Sequence, residues 1–166
     1  HLEELSALEK ENGGDSLLAA RELVSRMQRA GERLAGFGHR VHQHDPRTRR
    51  LFELARSEGV AGHFIRRAES VEQALREATE RELPLNVDGA IAALLCEINL
   101  DSALANGIFM IARLPGLLAH VLEEKTTQRP MRKVVPGAAR YDGPPARSFA
   151  ADSSPETPGG GAARDA

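Results

Sequence analysis

The chain has 166 residues, 41% of them apolar and 28% charged, with a formal net charge of −2. That length supports one medium domain with a real core, and the composition is that of a globular protein. The near-neutral balance supplies no field for nucleic acid or an anionic membrane surface, and the lone cysteine, Cys96, excludes an intrachain disulfide framework.

Residues 2–11 are strong helix formers, closed by Asn12-Gly13-Gly14. The chain opens at His1 inside what already reads as a helix, which points to a truncated protein. Asp15 or Ser16 can cap the next helix, with Leu17, Ala20, Val24 and Met27 on one face. Gly31 and the 36–38 loop interrupt. Asp45-Pro46 reads as an N-cap followed by a first-turn proline. Leu51, Phe52, Leu54 and Ala55 form the apolar stripe of that helix, and Gly59 ends it. Ser70 and Gln73 make a capping box for a helix over 71–82, which Pro84 breaks. The segment 86–100 is apolar almost all round and predicts a buried helix. Asp101 can cap another, which resumes over 117–124 after Pro115-Gly116. No unbroken apolar run reaches about 18 residues, so no membrane-spanning helix is expected. With no convincing alternating strand and no internal repeat, the expected fold class is all-α. Residues 1–135 read as one helical domain. Residues 136–166, rich in Pro, Gly, Ala and Ser, read as a flexible tail that Tyr141 and Phe149 alone can tie back. A reducing, cytoplasmic setting is the simplest expectation from the single cysteine.

Three places carry candidate chemistry. The first is the run Gly36-Phe37-Gly38-His39-Arg40-Val41-His42-Gln43-His44-Asp45-Pro46-Arg47, with a histidine after two glycines and an arginine at a helix start. The second is Asn86-Val87-Asp88-Gly89, an acid at the head of an apolar helix. The third is Arg113 inside an apolar stretch (108–120), with Arg129-Pro130 beyond. Plain structural readings stand beside each. His39 can be a hydrogen-bonded loop residue, Asp88 a helix cap, and Arg47, Arg49 and Arg50 a solvated helix face. Arg113 is harder to treat this way, because a buried cation without a partner costs several kcal/mol.

In order and spacing, GFGHRVHQHDPR (36–47), LNVDG (85–89), FMIARLPGLLAH (109–120) and QRP (128–130) resemble the citrate synthase family, including its citryl-CoA lyase branch. The resemblance spans roughly 15–143. It implies an all-α dimeric enzyme that makes or breaks the bond between an acetyl-CoA carbon and an α-keto acid carbonyl. It implies that His39 donates a hydrogen bond to the oxaloacetate carbonyl and that Asp88 removes the acetyl methyl proton. Arg47 and Arg113 are then the cations for the oxaloacetate or citrate carboxylates, and Arg129 reaches the partner's site. Gly36, Phe37, Gly38, Arg40 and Val41 are implied contacts for the coenzyme A thioester, which is a substrate. No metal, permanently bound cofactor, nucleic acid or membrane is implied. Arginine suits a dicarboxylate through its planar fork, and a carboxylate base succeeds where the enolate oxygen meets a positioned donor in a dry site.

The sequence departs from the family pattern in two places. The earlier histidine that polarises the thioester is flanked by small residues in the family, and His1 lacks them. The basic residue four positions after the GHxV histidine is Gln43 here, which leaves phosphate contact to Arg40, His42, His44 or residues of the portion expected to be missing. Arg132 competes with Arg129 for the cross-dimer role. The 85–95 and 123–133 stretches look more like the lyase branch. Two other readings are a non-catalytic CoA-binding fragment and nucleic-acid binding through Arg47, Arg49 and Arg50. The latter is disfavoured by the charge and by an aromatic content of 4%.

Overall fold

The computed structural model describes residues 2–79 and 81–131 and, beyond them, positions 133, 135, 137, 140, 141, 143 and 145. It divides into two compact units, His1–Thr127 and Gln128–Ala166. His1, Arg132, Phe149 and most of the 136–166 segment lie outside the described residues. The first unit is helical throughout, with one isolated antiparallel bridge, Phe37 to Leu85, and no strand among the described residues.

Six α-helices follow in order: α1 (Leu2–Glu11), α2 (Ser16–Ala30), α3 (Pro46–Ser57), α4 (His63–Thr79), α5 (Val87–Glu97) and α6 (Ala105–Thr127), the last preceded by a 3-10 turn at Ser102–Leu104. Local signals set most boundaries. Asp15 caps α2 by accepting from the Leu17 and Leu18 amides, and Gly31 closes it in the left-handed conformation at φ 67°. Asp45 caps α3 with Pro46 in the first turn.

Helix α4 corrects the expected 71–82 span. It begins at His63, so Ser70 sits in mid-helix and the Ser70–Gln73 pair is no capping box. The cap comes from far away in sequence. Glu97, at the end of α5, accepts from the Gly62 and Ile65 amides, both at 2.9 Å. These are donors a helix start leaves without intrahelical partners, and a charged acceptor binds them strongly. Glu97→Ala should therefore cost about 1–3 kcal/mol, read as a lower urea midpoint; an unchanged midpoint would show that water replaces the carboxylate.

Two apolar clusters form the interior. Leu5, Leu8, Leu23, Val24, Val71 and Leu75 join α1, α2 and α4. Phe52, Ala55, Ile65, Ala68, Leu85, Ala90 and Ala93 join α3, α4 and α5. Phe37 packs against both. An ion pair between Arg67 and Glu9 (2.5 Å), only 12% and 13% exposed, ties α4 to α1.

Helix α6 stands apart from this core. Its substantial packing is against α5 and the 3-10 turn, and Ala105 is its one buried residue. Met110, Ile111, Leu114, Leu118, Val121 and Leu122 are all more than half exposed. The helix also runs unbroken through Pro115-Gly116. By length and composition, Ser102–Thr127 is apolar enough to cross a membrane, with a mean hydropathy of 1.4 over its best window. The criterion of an unbroken apolar run passes over this stretch, because a window average tolerates the isolated Arg113 and His120. Its exposure also corrects the reading of Arg113 as a buried cation: Arg113 is exposed and makes no hydrogen bond or ion pair among the described residues.

Candidate active site

The 36–38 loop and residues 84–88 form one frame. The Gly38 amide donates to the Pro84 carbonyl (2.7 Å) and the Asn86 amide to the Gly36 carbonyl (3.0 Å). The Asn86 side-chain amide donates to the Gly38 carbonyl at 3.0 Å. On the other side, the Leu85 amide donates to Glu72 (2.8 Å) and the Thr48 hydroxyl to the Leu85 carbonyl (3.1 Å). Gly36 and Gly89 meet where no side chain fits. A Cβ on Gly36, whose φ is +90°, would lie 2.7 Å from the Gly89 Cα. The two glycines thus let the loop sit directly on the first turn of α5.

That frame sets the roles of Asn86 and Asp88. Asn86 caps α5 by accepting from the Asp88 and Gly89 amides at 3.0 and 3.2 Å. Asp88 is therefore not the cap. It is exposed in the first helical turn, and its carboxylate accepts no hydrogen bond among the described residues. It borders a hollow of about 370 Å³ whose walls are mostly small residues, including Gly36, Gly89, Ala92 and Ala103, with Ser102 and Asn106 as polar neighbours.

His39 is oriented by its own loop. Its Nδ1 accepts from the Val41 and His42 amides at 3.0 and 2.9 Å. A ring nitrogen that accepts carries no proton, so the neutral imidazole holds its hydrogen on Nε2. The His42 ring lies beside it, centroids 4.5 Å apart. Arg47 Nη2 lies 3.4 Å from His39 Nε2. Two donors thus stand side by side, with Asp88 close enough for its charge to act on Arg47.

Asp45 organises this group. Burial pushes its carboxyl up, but hydrogen bonds from the Arg47 side chain and amide, the Arg47 charge and the Val87 amide outweigh that and lower it to about 2. Arg47 in turn is raised above its ordinary value, first by its hydrogen bond to Asp45. A carboxyl lowered on folding adds stability that is fully present above its unfolded value of 3.8 and lost as pH falls toward 2. The contribution is about 2 kcal/mol. Acid titration of the unfolding free energy should show this loss between pH 4 and 2 in the native chain. It should be absent in Asp45→Asn, and parallel acid limbs would refute it.

The structure brings His39, Arg47 and Asp88 into one region and leaves Arg113 out of contact with them. The Arg113 guanidinium lies over Gly116 of its own helix. Arg129 is exposed and belongs to the second unit. Arg40 and Val41 are exposed, Val41 at 79%. Gly36 and Gly38 have main-chain groups engaged with 84–86. The Phe37 ring is taken up in packing, which leaves its backbone to meet a ligand. Among the described residues no group of three or more His, Cys, Asp or Glu side chains is placed to hold a metal ion. Sequence reading found Asp45 only as a cap and missed its link to α5; the signal present was Asp-Pro-Arg itself.

Comparison with known proteins identifies the family. The family profile "Citrate synthase, C-terminal domain" matches residues 2–134. The chain belongs to the citrate synthase family. It is 34% identical over 120 residues to citrate synthase 2 of Bacillus subtilis, covering 71% of this chain and 31% of that protein. Among solved structures it resembles citryl-CoA lyase from Hydrogenobacter thermophilus, at 34% identity and a TM-score of 0.61, over 90% of this chain and 59% of the lyase. Citrate synthase from Thermotoga maritima shares the fold, with a TM-score of 0.56 at 23% identity. The chain thus spans about a third of the length of the Bacillus relative and somewhat over half of the lyase chain.

Proposed function

We propose that the protein carrying this chain makes or cleaves the carbon–carbon bond joining the acetyl group of acetyl-CoA to oxaloacetate, through citryl-CoA or citrate. The observation that carries the reading is the pairing of the His39 Nε2–H with Arg47 Nη2, 3.4 Å apart, beside a carboxylate, Asp88, that accepts no hydrogen bond among the described residues. Two adjacent donors suit an α-keto acid, whose ketone and carboxylate oxygens lie on neighbouring carbons. An uncommitted carboxylate suits proton removal.

In the forward direction Asp88 takes a methyl proton from acetyl-CoA, and the resulting enolate carbon attacks the ketone carbon of oxaloacetate. The ketone oxygen becomes an alkoxide stabilised by the hydrogen bond from His39 Nε2–H, and the proton that Asp88 took from the methyl group is returned through water to give the hydroxyl. Arg47 holds a carboxylate and fixes the ketone's orientation, which lowers the entropic part of the barrier. Cleavage is the same path reversed. Arg113 is assigned to a second carboxylate and Arg129 to the site of a partner in a homodimer. The 36–41 backbone is assigned to coenzyme A. The small-walled hollow beside Asp88 supports entry of a slender thioester arm.

The tests are two in the protein that carries this chain: thiol release, which follows when water hydrolyses the thioester of the citryl-CoA formed, and cleavage of supplied citryl-CoA. Acetyl-CoA with oxaloacetate should liberate free CoA, and citryl-CoA should yield acetyl-CoA and oxaloacetate. CoA binding with neither reaction would instead establish the non-catalytic CoA-binding reading.

A further inference from the structure

A helix cap needs little of what Asp45 does. One bond, from the Arg47 amide to Oδ1 at 3.0 Å, caps α3. The same carboxylate accepts Arg47 Nε at 2.9 Å on Oδ1 and Arg47 Nη2 at 2.8 Å on Oδ2. Oδ2 also accepts the Val87 amide, at 3.1 Å, from the first turn of α5. The Asp45 side chain is 0% exposed, whereas that of Arg47 is 45% exposed. The carboxylate's acceptor sites are thus spent inside the protein, on two helix starts that are 42 residues apart in sequence.

The consequence for Arg47 is geometric. A guanidinium has five N–H donors in a fixed plane. Asp45 occupies the edge formed by Nε and one Nη2 hydrogen. The other edge, made by Nη1 and the second Nη2 hydrogen, is left to turn outward beside His39 Nε2. The link to Val87 fixes where α5 begins, one residue ahead of Asp88.

We propose that Asp45 is a positioning residue for the reaction: its buried carboxylate selects the edge of Arg47 offered to a substrate carboxylate and locks the helix start carrying Asp88 to the same frame. The inference rests on the functional reading given above. It makes a prediction of opposite sign to simple electrostatics. A negative charge beside Arg47 weakens the field seen by an anion, so on charge alone Asp45→Asn would tighten oxaloacetate binding. On positioning it loosens binding, because asparagine has one acceptor oxygen where Asp45 has two, and its NH2 group must face two of the four donors that the carboxylate accepts.

The experiment compares the native protein with Asp45→Asn and Val87→Pro, measuring thiol release for kcat and KM and melting for fold. Val87→Pro removes the amide that reaches Asp45, and the accompanying change of a buried side chain is read separately by melting. Proline is tolerated at a first helical position, and Asn86 already has the extended backbone (ψ 176°) that a following proline requires. Asp45→Asn should raise KM for oxaloacetate at least about tenfold, with KM for acetyl-CoA changed by less than about twofold. Val87→Pro should lower kcat by about tenfold, with KM for oxaloacetate nearly unchanged. An equal or lower KM in Asp45→Asn overturns the inference. If Asp45→Asn does not fold, Val87→Pro decides: a reduced kcat supports the inference and an unaltered kcat overturns it. A native protein with neither thiol release nor citryl-CoA cleavage overturns the functional reading and this inference together. An active native protein with unaltered variants overturns this inference alone.

Discussion

Replacing Asp88 with alanine should lower both bond formation and bond cleavage by about 10²–10⁴-fold while leaving coenzyme A affinity within about twofold. The structure separates the side chain from every architectural task near it. Asn86 caps the helix, Asp45 and Glu72 hold the preceding backbone, and Gly36 meets Gly89. The Asp88 carboxylate supplies only a favourable charge at a helix start, worth about 0.3–1 kcal/mol. A large rate effect with almost no change in melting is therefore the signature of a base. Calorimetry with coenzyme A beside a thiol-release assay reads both quantities. Turnover near the native rate in Asp88→Ala would remove Asp88 from the chemistry.

Gly36→Ala should be strongly destabilising. Two costs combine. The backbone at φ +90° is one that L side chains rarely adopt, and the new Cβ would lie 2.7 Å from the Gly89 Cα, a backbone atom with nowhere to go. Strain and overpacking together amount to about 3 kcal/mol or more, and the loop displacement should take His39 out of place. Gly31→Ala is the control: φ is +67° but nothing lies within 4 Å of the added carbon. It should cost only about 1 kcal/mol. Urea denaturation of the two variants measures the difference. Equal losses would mean that the close approach of loop and α5 carries no weight.

How much of this was legible in sequence depended on how far each cause reaches. Helices α2 and α3 were readable because their caps, Asp15 and Asp45, act within three residues. The true start of α4 was not, because its cap, Glu97, is 32 residues from Ile65. The Ser70–Gln73 spacing then offered a plausible but wrong boundary inside a continuous helix. The all-α class survived that error, since the apolar period of α4 extends through Ile65 and Ala68. For the site, the motif run gave His39 and Arg47 together. It could not give Asp45 its second partner, Val87, which only folding brings near. Arg113 was misjudged because an apolar neighbourhood in sequence was equated with burial. The same surroundings lie on a helix that faces outward.

Helix α6 has a consequence for how the chain comes apart. Protection of backbone amides against exchange with deuterated water follows the free energy needed to open each segment, and segments with little buried contact open first. With Ala105 its one buried residue, α6 has almost nothing to lose by detaching. Deuterium should therefore enter 106–127 well before α2 or α4, even though α6 is the longest helix by sequence. Its ladder of hydrogen bonds gives it shape, but its permanence must be borrowed from whatever it leans on.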